Sequence, residues 1–282
     1  MTSNNMLSKI TRNLPYWILL MIVVLWSIIP IYTAISSSFK IPREIFNYPP
    51  TYFPAEVTFS NFARLFEDVP EFVIALRNSA IVTFFSMVLT ISVCLPAAYT
   101  FSRFKAPVFR RSAIVLIAIR MFPPLVISVP LFPILNEIGL SDSHLTLILL
   151  YTTFQSTIIT LIMKAYIDGI PIEIEEAAYV DGATMYQVFS RIILPLSRPV
   201  IVATAIMVGS YAWNEFQFGF LFTSTNARTA PVLIAEMVGS LTGVQWGNVF
   251  AASVVQFVPA LIFLWVIQNQ LIRGMTSGAT KG

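Results

Sequence analysis

The chain has 282 residues, 56% of them hydrophobic and only 11% charged, with a mean hydropathy of +0.77. Soluble domains carry about 25% charged residues, so an ordinary water-facing domain is excluded, and so is disorder, which needs low hydrophobicity and high charge. The net charge of +3 gives no electrostatic basis for binding nucleic acid; the single cysteine, Cys94, and single histidine, His144, exclude an internal disulfide, a Cys/His zinc site and an HExxH motif.

A membrane helix needs about 20 mostly apolar residues. Six windows qualify: Leu14–Ile35, Leu76–Tyr99, Ser112–Leu135, Leu145–Ile162, Val200–Phe222 and Val249–Leu271. Lys9 and Arg12 ahead of the first window resemble a signal-peptide flank. Its apolar stretch is longer than the ~7–15 residues of such a signal, and no A-x-A-like site follows, so it reads as a retained span. Orientation follows from the loop Lys and Arg residues. With the N-terminus cytoplasmic, eleven lie inside, five outside, and Arg120 within a span. Both termini are then predicted to be cytoplasmic. The organisation expected is a cytoplasmic N-terminus (1–13), a six-helix membrane domain (14–271) and a cytoplasmic tail (272–282).

The first outer loop contains Tyr48-Pro49-Pro50-Thr51-Tyr52-Phe53-Pro54, which must be extended. Ser60 could cap a short helix with Phe62, Leu65 and Phe66 on one face, lying on the membrane surface or simply packing the loop. The third span carries Arg120 followed by Pro123, Pro124, Pro130 and Pro133, which predicts a kink or partial unwinding. Such backbone at membrane depth requires protein or a water-filled cavity around it. The fourth span is rich in Thr152, Thr153, Gln155, Ser156, Thr157 and Thr160, read as helix–helix contacts or as pore lining.

The long inner loop, 164–198, has internal order. Pro171 suits a first helical turn, and Glu173, Glu175 and Glu176 lie where the macrodipole favours acids. Asp181-Gly182 ends that helix, with Gly182 as a left-handed cap. Thr184-Met185-Tyr186-Gln187 fits a capping box opening a second helix, which Pro195 and Pro199 break. Small Ala177 and Ala178 permit close approach by another surface. The acids argue against rest on anionic lipid headgroups.

In the fifth span, Trp213, Asn214, Glu215 and Gln217 are polar or ionisable candidates for a solute path. Ser210, Trp213, Asn214 and Gln217 share a helical face, and Glu215 lies about 100° round from Asn214. Asn214 and Gln217 are expected to face the cavity, with Glu215 locking the helix to a neighbour. Arg120 could pair with Glu215 or with a partner subunit. Gln256 is a further cavity candidate, and His144 an interfacial residue.

Glu176-Ala177-Ala178, Gly182 and, after nine residues, Ile192-Ile193-Leu194-Pro195 resemble the EAA loop of ABC importer permeases. Arg120-Met121-Phe122-Pro123-Pro124, Ala212-Trp213-Asn214-Glu215-Phe216 and the tail Gly274–Gly282 resemble the carbohydrate-uptake branch, MalG-like inner-membrane subunits of the maltose-transporter type. The resemblance runs from residue 14 to 282. It implies an all-α integral membrane protein with the ABC type I importer permease fold and a cytoplasmic coupling helix. It also implies a bacterial or archaeal plasma-membrane location, the inner membrane where a cell has two. Glu176, Ala177, Ala178, Asp181, Gly182, Ile192, Leu194 and Pro195 would contact an ATPase. Thr276, Ser277, Gly278 and Lys281 would form a small, flexible tail reaching the ATPase subunits.

The implied partners are a second permease subunit, an ABC ATPase dimer, an extracytoplasmic solute-binding protein, a sugar or oligosaccharide, and membrane lipid. ATP and Mg2+ would be held by the ATPase. No GxxxxGK[ST] loop is present and none of the five lysines follows a glycine, so this chain is expected to be no enzyme and to bind no cofactor of its own. Other solutes (polyol, glycerol phosphate or peptide) remain open. So does a stand-alone secondary transporter, although such a protein needs no docking loop. A membrane enzyme is disfavoured by the lack of paired intramembrane carboxylates.

Overall fold

The computed structural model describes residues 14–104, 106–239 and 243–279. Among the described residues every regular element is helical. Among the described residues four helices are long and apolar enough to cross a membrane: α1 (Leu14–Ser38), α4 (Glu71–Arg103), α7 (His144–Asp168) and, through Val266, α14 (Trp246–Ala279), which follows the short α13 (Ala230–Val238). These match predicted spans one, two, four and six, each lengthened beyond its apolar window.

The other two predicted spans are not continuous. The third is split into α5 (Pro107–Arg120) and α6 (Pro124–Glu137). Pro123 is extended, with ψ 136°, and neither Pro123 nor Pro124 can donate to the helical ladder. The fifth stops as α11 (Arg198–Asn214) and resumes as the short α12 (Gln217–Phe222). The interruption of the third span is the one its prolines predict; that of the fifth is not marked by a proline. Together with the helical segment before it, Met185–Leu196, α11 makes a pair bent by 71° at Ser197 that is apolar enough to count as one broken span.

The chain divides into two compact units. The first comprises the chain up to Pro70 together with Glu236–Val255. It holds α1, a short turn α2 (Pro42–Ile45) and α3 (Ser60–Asp68). No residue in the most apolar stretch of α1 is buried, so lipid or another protein must cover it. The loop after α1 is fastened by its backbone carbonyls. Tyr32 and Ser36 donate to the Tyr52 carbonyl, and Asn61 donates to those of Ser38 and Lys40. Glu44 accepts the Thr51 hydroxyl and the Ala55 N–H. The expected short helix is present, but Ser60 does not cap it. Phe59 holds the cap position, and the Ser60 N–H donates to Thr58 Oγ1. Leu65 is buried, as its face predicted, while Phe66 is exposed.

The second unit comprises Glu71–Ala235 and the chain from Gln256 onward. Its core is where α4, α7 and α11 pack. One cluster joins Cys94, Leu95, Ala98 and Tyr99 of α4 to Ile159, Met163 and Ile167 of α7 and to Val200 and Val208 of α11. A second gathers Val82, Leu147, Tyr151, Ala212, Phe218 and Phe222. Gly209 sits at the crossing of α11 with α4. A Cβ there would lie 2.7 Å from the Met87 sulfur and 3.3 Å from the Phe263 ring. Three of the threonines singled out in α7 face this packing: Thr152, Thr157 and Thr160 are buried with Gln155, Thr90 of α4 donates to Thr152, and Thr153 is exposed. The buried residues join helices, one of the two predicted roles.

Candidate functional site

The inner-loop sequence folds as most of its local signals predict, but Pro171 lies ahead of the first helix and Pro195 sits within a helical turn, the bend falling at Ser197. α8 (Glu173–Val180) carries Glu173, Glu175 and Glu176 in its first turn. It starts two residues after Pro171. Asp181 closes it, and Gly182 has φ +85°, a left-handed conformation that only glycine enters without strain. The Ala183 N–H returns to the Ala178 carbonyl at 2.9 Å, closing the turn.

α9 (Met185–Val188) opens with the predicted capping box: the Thr184 hydroxyl accepts the Gln187 N–H, and Gln187 Oε1 accepts the Thr184 N–H. A π-helical turn, Phe189–Ile193, follows, then a three-residue turn α10 (Leu194–Leu196). Val188 and Ile193 are buried and anchor the loop to the core.

The anchored loop leaves an outward surface. Glu176, Ala177, Asp181 and Gly182 are exposed, and Ala178, Ile192 and Pro195 are half-buried. Around them lie exposed apolar side chains: Val180 (86% exposed), Tyr186 (78%), Met185 and Tyr179. A concavity of about 280 Å³ beside the glycine is lined by Asp181, Gly182, Ala183, Gln187, Arg191 and Ile192. Apolar groups clustered on a polar, charged loop need a covering partner.

The three acids of α8 separate in the fold. Glu175 turns inward and is buried. It accepts from Arg103 Nε at 2.6 Å and from the Tyr99 hydroxyl at 2.7 Å. This pair is not legible in the sequence, because its members are 72 residues apart and read separately as a helix-dipole acid and an inner-loop cation.

The fifth-span candidates fall into two groups. Trp213, Glu215 and Gln256 are occupied by the fold. Trp213 Nε1 donates to the Gln256 carbonyl, and Gln256 Nε2 donates to the Trp213 carbonyl, both at 3.0 Å. Glu215 is buried and accepts the N–H groups of Phe218 and Gly219, at 2.8 and 3.2 Å. Its carboxylate therefore starts α12, and it also engages the Tyr151 hydroxyl of α7, the neighbouring helix. Asn214 is exposed, with its amide on the Ser210 carbonyl of its own helix, and Gln217 is half-buried. The predicted shared face does not exist, because the helix is interrupted between Asn214 and Gln217.

Arg120 and Glu215 take separate partners. Arg120 Nη1 donates to the Phe154 carbonyl at 3.0 Å, and its guanidinium stands 5.0 Å from the Phe154 ring centre. His144 Nε2 contacts Asn78 Oδ1 at 2.8 Å. α14 runs helically through Thr276, Ser277 and Gly278 to Ala279, and Lys281 lies outside the described residues.

An unpredicted clamp lies between α6 and α7. The Asp142 carboxylate accepts six hydrogen bonds from Ser224, Thr225, Asn226 and Ala227. Burial alone would raise its pKa. The N–H donors of Asn226, Ser224, Ala227 and Thr225 outweigh that and hold it well below the usual carboxylate range.

Long apolar helices and two interrupted ones, with an ordered helix–glycine–helix loop between α7 and α11, mark the chain as a multi-pass membrane protein. The family model described as binding-protein-dependent transport system inner membrane component matches residues 92–277, and the chain belongs to that family. It is 34% identical over 274 residues to the trehalose transport system permease protein SugB of Mycobacterium tuberculosis, covering 96% of this chain and 99% of that protein. It is also 34% identical to the trehalose/maltose transport system permease protein MalG of Thermococcus litoralis, covering 80% and 82% of the two chains. The fold is similar to that of a chain in the crystal structure of a bacterial ABC transporter involved in the import of the acidic polysaccharide alginate, with a TM-score of 0.81 at 20% identity, covering 93% of this chain and 97% of that one.

Proposed function

We propose that this chain is half of the membrane path of an ATP-driven sugar importer. A second permease subunit completes the path, a solute-binding protein delivers the sugar, and separate ABC ATPase subunits hold ATP and Mg2+. The observation that carries the docking role is the exposed apolar and small-residue surface around the left-handed Gly182. In this reading Glu176, Ala177, Ala178, Asp181, Gly182, Ile192, Leu194 and Pro195 meet the ATPase. Loop 164–198 and both termini, with the tail positions Thr276, Ser277, Gly278 and Lys281, lie in the cytoplasm. The membrane domain spans 14–271.

A saccharide is favoured because the similar permeases are named for trehalose and maltose. Asn214, Gln217 and Arg120 are the polar candidates on the path whose side chains remain wholly or partly open. Trp213, Glu215 and Gln256 would shape the path through the helices they hold.

The test is co-purification. Wild-type chain purified from its own cells should retain an ATPase and take up trehalose or maltose in proteoliposomes only when ATP and the loaded binding protein are both present. Glu176→Lys should cut uptake about ten-fold or more, as expected when a charge at a packed interface is reversed. Uptake by this chain alone, driven by a proton gradient, would contradict the reading.

A further inference from the structure

Glu175 is the one acid of the α8 first turn that a docking partner cannot reach. Its side chain is 3% exposed, and both carboxylate oxygens are engaged, one by Arg103 Nε and the other by the Tyr99 hydroxyl. Both donors belong to the last turns of α4. Arg103 also donates through Nη2 to the Ile170 carbonyl at 2.9 Å, in the link between α7 and α8, and through Nη1 to Ser102 Oγ at 3.2 Å. Ser102 in turn donates to Asp168 Oδ1 at 2.7 Å, and Asp168 pairs with Lys164 at 2.6 Å. One polar knot thus ties the ends of α4 and α7 to the first turn of α8.

The arrangement is directional. A cation suits the C-terminus of α4 and an anion the N-terminus of α8, so each helix dipole favours its own member of the pair. A buried, fully hydrogen-bonded charge pair is strongly resisted from opening, because a lone buried charge would be left behind. The knot therefore moves as one body. α4 packs along α7 and α11 through the core described above, so displacement of α8 reaches all three helices.

We infer that Glu175, latched to Arg103 and Tyr99, is a positioning residue that carries displacement of α8 into α4 during transport. This rests on the permease reading above and adds to it a division of labour: Glu176 faces the ATPase while Glu175 faces the membrane helices. The cluster transmits motion and does not itself contact nucleotide or solute.

The test measures sugar imported per ATP hydrolysed in proteoliposomes holding the complete complex. Glu175→Gln replaces an acceptor oxygen with an amide donor facing other donors. It should leave ATPase association intact and ATP hydrolysis within about two-fold of wild type, while sugar per ATP falls about ten-fold. Tyr99→Phe removes one hydrogen bond, keeps the ion pair and is the milder variant; sugar per ATP should fall about two- to three-fold. The double variant Glu175→Gln with Arg103→Met should be no worse than the worse single change. An unchanged ratio in both Glu175→Gln and Tyr99→Phe, or strictly additive losses in the double variant, overturns the latch while leaving the permease reading in place. Absence of ATP-dependent uptake in the wild type overturns both.

Discussion

At the scale of single residues, Asp142 shows how one carboxylate can hold two distant loops. Its six accepted hydrogen bonds reach residues 224–227, and its own backbone sits at φ +53° to aim them. Because its folded pKa is depressed, its contribution is fully present above the unfolded value of about 3.9 and is lost only as pH falls through the lower folded value. Asp142→Ala should speed amide exchange at Ser224–Ala227 by about ten-fold at neutral pH, as expected for a loss of about 1.4 kcal/mol from charge-assisted bonds. The same protection in the wild type should persist at pH 5. Loss of wild-type protection between pH 7 and pH 5 would contradict the clamp.

The Asp142 clamp was not legible in the sequence. Ser141-Asp142-Ser143 reads as an ordinary loop, and the partners lie more than 80 residues on. The same holds for Trp213 and Gln256, which looked like sugar-facing groups and instead exchange two hydrogen bonds across 43 residues. A polar side chain in an apolar span announces that it has a partner, not which one. Trp213→Phe and Gln256→Leu should destabilise the purified complex by less together than the sum of the singles, in a thermal-unfolding double-mutant cycle. Additive effects would deny the lock.

At the scale of elements, the loop from Pro171 to Leu196 was the most legible part of the chain because its determinants are local. First-turn acids, a left-handed glycine and a Thr-x-x-Gln box all lie within a few residues of the helices they bound. The break after Pro123 was legible for the same reason. The break at Glu215 was not: no proline marks it, and it forms where the carboxylate turns back to take two backbone N–H groups. Gly182→Ala puts a Cβ into the left-handed region, at a cost of about 1–2 kcal/mol. It should lower uptake by loosening α8 from α9, with little effect on insertion of the chain into membranes. Gly209→Leu should do the opposite. It forces α11 away from Met87 and Phe263 and should lower the yield of folded protein, read by size-exclusion chromatography in detergent.

At the scale of the whole molecule, the apolar composition and the family membership agree on a multi-pass membrane permease. The fold explains why such a chain needs company. α1 presents an unburied apolar surface, and α8 to α10 present another on the loop that carries Gly182. In the proposed reading the first meets lipid or a second subunit and the second meets the ATPase. The most direct measurement is ATPase activity of the co-purified complex in liposomes, with and without a sugar-loaded binding protein, for the wild type and Glu176→Lys. The account predicts stimulation by the loaded binding protein in the wild type and its loss in the variant with all subunits still associated. A wild-type complex that retains no ATPase, or one whose hydrolysis ignores both the binding protein and the Glu176 substitution, would contradict it.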